Sequence, residues 1–255
     1  EGREYYNHPD NRDIDPGDFY ARLRAGAIGT TSAVSTGVFE AAMSRIVEDG
    51  MDILCINFSS GLSTTYQSAC IAAKDVMEAH PGSKILVVDS LSASLGQGLL
   101  LYLAVQEKRK GRTIEEVRDF AEERKHHICH WFTVDDLNHL KRGGRVSAAA
   151  ALVGTMLQMK PVLHVDDEGH LIPVDKVRGR KASVQAVLDM MEQLVTDSSV
   201  VFISHGDCTP EAEALAKYIQ EKFSVETLLI NFVGPVIGNH SGPGTLALFF
   251  QGKRR

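Results

Sequence analysis

Short strand-like apolar runs alternate with longer helical stretches in the first half of the chain. Residues 53–58 and 83–89 are apolar and rich in β-branched side chains, which is typical of buried parallel strands. Each run is followed by a polar turn and a stretch of helical periodicity, as in strand–helix–strand crossovers. We therefore expect a parallel α/β sheet domain. Its helices are predicted at residues 18–25, 36–48, 66–79, 96–111 and 113–127, the last opened by a capping box of Thr113 and Glu116.

The second half of the chain has the pattern of an α+β domain. Apolar runs at residues 161–165 and 170–177 flank the turn residues 167–169 and predict a β-hairpin. We place the boundary between residues 135 and 136, so that the predicted domains are 1–135 and 136–255. The remaining predicted elements are helices at 135–140, 147–159, 182–196 and 210–223, strands at 200–204, 225–232 and 245–250, and a loop at 234–244.

Composition narrows the function classes. The chain has 255 residues and a net charge of −6, which argues against nucleic acid as a partner, because such proteins are usually basic. Its four cysteines are scattered and form no CxxC pair, which predicts reduced thiols and a cytoplasmic location. The longest apolar stretch, residues 146–159, is too short to span a bilayer.

Two clusters of hydroxyl side chains precede predicted helices. One follows the first strand as SSGLSTT at residues 59–65, and the other is TTSAVS at residues 30–35. A strand, a turn of small residues and a helix together present backbone amides and hydroxyls to an anion in α/β proteins. The two clusters can converge on one ligand if they lie at the same edge of a sheet. Alternatively, each cluster only caps its helix, with Ser35 or Thr36 as one N-cap.

Metal and nucleotide motifs are not found in the sequence. His126, His127 and His130 are close together, but their spacing fits no metal-ligand motif. No P-loop or dinucleotide fingerprint supports a phosphotransferase, although hydroxyl-rich turns would suit phosphate. We predict neither a metal nor a cofactor.

Basic side chains are concentrated in two short stretches of this otherwise acidic chain. The simple interpretation is a solvated face, and the alternative is a docking surface for an acidic partner. The residues are Lys141, Arg142, Arg145, Lys176, Arg178, Arg180 and Lys181.

Several motifs in order resemble those of the DegV family of bacterial fatty-acid-binding proteins. They are SSGLSTTYQSA, VVDS, LKRGGRVS, KPVL, RGRK and a closing GPVIGNHSGPG, and the resemblance covers nearly the whole chain. The family's TSQPS is TSAVS here, and Thr64 replaces the glycine of SSGLSGTY, whereas Thr31 and Ser63 are retained. The strand–helix–strand unit with which family members normally begin is absent here. The start in polar sequence without an initiator Met is consistent with a fragment.

The resemblance implies a two-domain protein that encloses one long-chain fatty acid between its domains. Thr31 and Ser63 would hydrogen-bond the carboxylate, with His240 nearby and Ser32, Ser60 and Gly61 as secondary candidates. The protein would be a carrier rather than an enzyme. It would present its fatty acid to a separate fatty acid kinase, which makes an acyl phosphate for phospholipid synthesis, and it could touch a membrane surface transiently. The residues that dock the kinase would be Arg142, Arg145, Arg178 and Arg180.

A serine hydrolase acting on acyl substrates is the alternative from a different class. Ser63, His240 and either Asp89 or Asp207 have the side chains of a catalytic triad. Against this, Ser63 lies in no GxSxG elbow. His240 is equally consistent with a loop residue that satisfies a carbonyl.

Overall fold

The structure, a computed structural model, describes residues 2–146 and 158–255. In chain order its elements are α1 (Pro16–Arg24), α2 (Thr36–Glu48), β1 (Ile53–Asn57), α3 (Thr65–Ala79), β2 (Ile85–Asp89), α4 (Leu95–Arg109), α5 (Ile114–Arg124), a 3₁₀ turn (Lys125–His127), β3 (Ile128–Thr133), α6 (Asn138–Gly143), β4 (Met159–Val165), β5 (Leu171–Arg178), α7 (Arg180–Leu194), β6 (Val195–His205), α8 (Thr209–Lys222), β7 (Thr227–Phe232), α9 (Pro235–Ser241) and β8 (Leu246–Gly252).

The internal contacts of the chain divide it into two units. The first unit comprises Glu1–Thr31, Cys129–Asp166 and Leu171–Arg255, and the second comprises Ser32–Ile128 and Asp167–His170. This division follows contacts rather than chain order, so it differs from a single boundary at residue 135. That boundary stays a prediction.

The second unit has the predicted strand–helix alternation. Strands β1 and β2 pair in parallel, from Ile53 opposite Ile85 to Asn57 opposite Asp89. Helix α3 buries alanines at positions 69, 72 and 73, and such small side chains let its backbone lie close to β2 and α2. The capping box at Thr113 is present, with its hydroxyl accepting from the Glu116 amide. The predicted α/β class is confirmed for this unit.

The first unit is built on a mixed sheet. Among the described residues the strand order is β5-β4-β3-β8-β6-β7. Strands β4 and β5 form the predicted antiparallel hairpin, whereas β6 and β7 are parallel. Helices α7 and α8 cover one face, where they bury residues such as Met191 and Ile219 against β6 and β8. This mixed sheet confirms the predicted second, α+β part of the fold.

The largest error of the sequence prediction is strand β3. The sequence pattern predicts no strand at residues 128–133, yet they lie inside the larger sheet. All six side chains are buried, so the alternation of apolar and polar residues that reveals a half-buried strand is missing.

The glycine-rich and proline-rich pattern of residues 234–244 predicts a loop, but residues 235–241 form helix α9. Pro235 lies in its first turn, and Gly242 follows its end with a φ of +80°, an arrangement that favours a short helix.

Other predicted helices also differ from the structure in their bounds; the helix predicted at 113–127, for example, ends at Arg124 and continues as a 3₁₀ turn. The helix predicted at 135–140 begins at Asn138 and includes part of the basic stretch. The one predicted at 182–196 ends at Leu194, because the chain then enters β6. Residues 147–157 of the predicted alanine-rich helix lie outside the described residues, and Met159 opens β4.

The cysteines are free thiols. Cys129 is buried, and Cys55, Cys70 and Cys208 are half-buried. Burial raises the pKa of Cys129 to about 12 and that of Cys208 to about 11. Both thiols are therefore protonated and unreactive at neutral pH.

Within the described ranges, no helix combines the length and the apolar composition needed to cross a membrane.

Candidate functional site

The predicted residues Thr31 and His240 meet in the first unit. Oγ1 of Thr31 lies 2.7 Å from Nε2 of His240, so the two share a hydrogen bond whose direction depends on the imidazole tautomer. Both residues are half-buried. The pair therefore presents a neutral hydroxyl and a neutral ring at a partly accessible place, which suits recognition of a carboxylate.

Glycines fix the position of the His240 ring. A Cβ at Gly143 would overlap Nδ1 of His240, so α6 can approach the ring only through a glycine. On the other side of α9, a Cβ at Gly238 would overlap the hydroxyl of Tyr20. That hydroxyl is buried and donates to the carbonyl of Val233 at 2.7 Å, just before α9. Helix α9 is thus packed tightly on both sides of the imidazole.

The pKa of His240 is held below its ordinary value of 6.5, first by burial and then by the positive charge of Arg145. His240 is therefore neutral at pH 7. A neutral imidazole pairs with the Thr31 hydroxyl without fixing a charge beside the ligand site.

Ser63 lies in the turn between β1 and α3 of the second unit. Its Oγ is 2.9 Å from Oγ1 of Thr65 and accepts a hydrogen bond from the Thr65 amide at 3.2 Å. The Thr65 hydroxyl in turn accepts from the amide of Val34 at 3.3 Å. Within the second unit, the backbone at Val34 is therefore tied to the start of α3.

Simple helix capping does not account for these hydroxyls. Ser35 and Thr64 are the N-cap residues of α2 and α3, and neither side chain accepts a capping hydrogen bond. The predicted N-cap position is therefore confirmed at Ser35, but a capping role is wrong for the hydroxyls of Ser35 and Thr64. The hydroxyls at Ser63 and Thr65 bond to each other instead.

The secondary candidates in this turn already use their amides. Ser60 donates its amide to Oδ1 of Asp89 at 3.2 Å, and Gly61 donates to Oγ of the buried Ser59 at 3.2 Å. A Cβ at Gly61 would lie 2.7 Å from the carbonyl of Glu168, so this position requires glycine. These contacts support the shape of the turn, and ligand roles for Ser60 and Gly61 stay predictions.

Ser32 is exposed and lies outside the helices and strands. Its role as a secondary ligand-site residue also stays a prediction.

Comparison with known proteins identifies the family. The family model that matches residues 2–253 is described as "Uncharacterised protein, DegV family". A DegV domain-containing protein of Clostridium perfringens is 44% identical over 251 residues, which cover 98% of this chain and 86% of that relative. The chain belongs to the DegV family. The resemblance inferred from the motifs is confirmed.

Solved DegV structures share the fold. A DegV lipid binding protein from Thermotoga maritima is 31% identical, with a TM-score of 0.81 over 94% of this chain and 83% of that one. DegV from Bacillus subtilis, a fatty acid binding protein, is 29% identical, with a TM-score of 0.81 over 95% of this chain and 86% of that one.

The residues proposed for a catalytic triad have other partners in this DegV chain. Oδ1 of Asp89 accepts from the amides of Ser60 and Leu91 at 3.2 and 3.0 Å. Asp207 pairs with the guanidinium of Arg24. Since neither carboxylate hydrogen-bonds to a histidine ring nitrogen in the described part of the chain, a hydrolase is not favoured.

The four arginines predicted to dock a partner differ in their exposure to solvent. Arg142, Arg145 and Arg178 are exposed. Arg180 has only 17% of its side chain exposed, and its guanidinium binds Glu211 at 2.6 Å and Asp135 at 3.8 Å. Arg180 thus has a structural role in joining α7 to α8, which the sequence did not suggest.

Sequence reasoning missed Gly143 and Asn239. Gly143 lies in the KRGGR motif, where the glycines suggest only room beside the arginines and give no sign of a contact with His240. Asn239 precedes His240 in GNHSGPG, and its position beside a candidate binding histidine was the available signal.

Proposed function

We propose that this DegV protein binds one long-chain fatty acid and presents its carboxylate to a separate fatty acid kinase. The product would be an acyl phosphate used in phospholipid synthesis. The observation that carries the proposal is the Thr31–His240 hydrogen bond, formed by two residues that the family motifs assign to the carboxylate. The lipid and fatty acid binding of the relatives from Thermotoga maritima and Bacillus subtilis supports it.

The proposed head-group donors are Thr31, His240 and Ser63. A carboxylate in an apolar pocket needs fixed donors, and hydroxyls supply them without adding a charge. Ser63 fits this role because its partner Thr65 is another hydroxyl, so one proton of the pair can be redirected to a ligand oxygen.

The acyl tail would supply most of the affinity. Burial of about 14 methylene groups at about 0.8 kcal/mol each gives a gross term near 11 kcal/mol. Each head-group hydrogen bond contributes only about 1 kcal/mol. The hydroxyls would therefore decide the orientation of the fatty acid, and the tail would hold it in place.

The proposed kinase-docking residues are Arg142, Arg145 and Arg178. They are exposed, and exposed charges of one sign speed encounter with an acidic partner. Arg145 also lies near enough to His240 to lower its pKa. Docking near the carboxylate is what presentation to a kinase requires. We leave Arg180 out of this surface, since its charge is already paired.

Denaturing extraction followed by mass spectrometry tests the binding function. We expect one equivalent of long-chain fatty acid per chain, released by solvent extraction of purified protein. For the presentation step, the loaded protein is incubated with ATP and a bacterial fatty acid kinase, and acyl phosphate is trapped with hydroxylamine. Ester hydrolysis without bound fatty acid would instead favour the hydrolase.

A further inference from the structure

The segment that carries Thr31 has little support of its own. Residues 28–35 form neither helix nor strand, and residues 24–30 are exposed. A threonine in such a segment recognises a ligand poorly unless the backbone is held in place, because fixing a flexible chain costs conformational entropy. The contacts of Gly29 and Thr31 therefore decide how well the hydroxyl is placed.

Asn239 holds this segment through both atoms of its amide. The Gly29 amide donates to Oδ1 of Asn239 at 3.1 Å, and Nδ2 of Asn239 donates to the Gly29 carbonyl at 2.9 Å. The side chain thus pairs with the backbone of Gly29 as a neighbouring strand would. In the part of the chain that the structure describes, Gly29 and Thr31 form hydrogen bonds with Asn239 and His240, respectively.

We call the two hydrogen bonds between the Asn239 side chain and the Gly29 backbone the clamp, and this clamp requires a glycine at position 29. A Cβ at Gly29 would lie 2.5 Å from Oδ1 of Asn239, so any other residue would push the amide away. Its φ is not in the left-handed region, which means that close approach, rather than backbone conformation, requires the glycine.

The clamp and the ligand pair use adjacent residues of one helix. Asn239 binds Gly29 while His240 binds Thr31, two positions further along the same segment. Helix α9 is fixed by the packing of Gly238 against Tyr20 and of Gly143 against His240. The segment is therefore aligned against a rigid support.

We propose that Asn239 is a positioning residue for the fatty-acid carboxylate site, acting through Gly29 to place the hydroxyl of Thr31 beside His240. This inference rests on the proposed function for its ligand, but its geometry concerns the ligand-free protein. Loss of the clamp would let Thr31 leave His240, and the affinity for stearic acid would fall about as far as on loss of the hydroxyl itself, about tenfold.

A double-mutant cycle separates positioning from general damage. Stearic acid affinity is measured for wild type, Asn239→Ala, Thr31→Val and the double variant. If Asn239 acts through Thr31, each single variant binds about tenfold more weakly and the double variant is no weaker than Thr31→Val. Additive losses would overturn the inference. Asn231→Ala, a change of the same residue type at an exposed position of β7, is the control and should bind as wild type does.

A ligand-independent measurement keeps the test valid if the chain binds no fatty acid. The ¹⁵N resonance of His240 Nε2 reports its hydrogen bond with Thr31, and Asn239→Ala and Gly29→Ala should both shift it as Thr31→Val does. Absence of stearic acid binding in wild type with these shifts present would refute the proposed function alone. An unchanged His240 resonance in a folded Asn239→Ala or Gly29→Ala protein would refute the positioning role.

Discussion

Thr31 and His240 share a 2.7 Å hydrogen bond although 209 positions separate them in the chain. The contact joins a segment without regular structure to a short helix near the C-terminus. Within the first unit, it brings together two of the three residues that the family motifs assign to the carboxylate. The predictions below follow from this contact and from the charges around it.

Removal of the Thr31 hydroxyl should weaken binding of a long-chain fatty acid by about 1–3 kcal/mol, because the carboxylate loses one donor. Thr31→Val keeps the branched shape and removes only the hydroxyl. Thr30→Val is the matched control, since Thr30 is the exposed neighbour. Titration calorimetry measures the fatty-acid affinity of both variants. Equal affinities of the two variants would contradict the role of Thr31.

An alanine at Gly143 should displace the His240 ring, because its Cβ would overlap Nδ1. We expect Gly143→Ala to lower the free energy of unfolding by about 1–3 kcal/mol, the usual cost of overpacking, and to weaken fatty-acid binding. Urea denaturation and calorimetry measure the two effects. Gly37→Ala is the control, since nothing lies within 4 Å of its Cβ position. A Gly143→Ala protein with wild-type stability and affinity would show that the ring is not held there.

Stability should depend on pH through His240. Its pKa is lower in the folded protein than the ordinary 6.5, so the unfolded chain takes up the proton first as the pH falls. The stabilisation from the neutral ring is complete above pH 6.5 and is lost as the pH falls towards the lower folded pKa. His139 and His205 also have lowered pKa values, so the test is the difference in melting temperature between wild type and His240→Gln. That difference should narrow or reverse below pH 6.5. A constant difference would contradict the prediction.

Two arginines should each contribute to the lowered pKa of a different histidine. Burial is the main cause of the lowered pKa of both His240 and His139, and the charge of Arg145 lowers the first further while that of Arg142 lowers the second. We expect Arg145→Gln to raise the pKa of His240 and leave that of His139 unchanged. Arg142→Gln should raise the pKa of His139 and leave that of His240 unchanged. Nuclear magnetic resonance titration of the ring protons measures both. A crossed or absent response would show that these charges do not lie where the structure places them.

Loss of the exposed arginines should slow phosphorylation without changing fatty-acid affinity. Arg142→Ala with Arg178→Ala removes two positive charges from the proposed docking surface, so the encounter with an acidic kinase should slow. The wild-type rate should fall with added salt, and the variant's rate should fall less. Lys74→Ala with Lys217→Ala removes the same charge from highly exposed positions and should behave as wild type. Loss of fatty-acid binding in the arginine variant would place these residues in the ligand site.

The sequence predicts the elements whose formation depends on residues that are neighbours in the chain. The run at β1, the turn to α3 and the capping box at Thr113 each have a local chemical signature, and the structure contains all three. The family motifs added Thr31 and His240, whose contact no local rule predicts because it depends on the fold of the whole first unit.

Other features could not be predicted because their causes are distant in the chain. Strand β3 has no alternation, since it is buried on both faces. The ion pair of Arg180 with Glu211, and the clamp of Asn239 on Gly29, depend on elements that meet only after folding. In a motif such as RGRK, a structural arginine and an exposed one look alike.

Titration of delipidated protein with stearic acid tests the central claim most directly. The account predicts saturation at one fatty acid per chain, with a lower affinity for Thr31→Val and for Ser63→Ala and an unchanged affinity for Thr30→Val. Saturation of wild type at one equivalent together with unchanged affinity in a Thr31→Val, Ser63→Ala double variant would contradict the assigned carboxylate site. Absence of any saturable binding to wild type would contradict the proposed function itself.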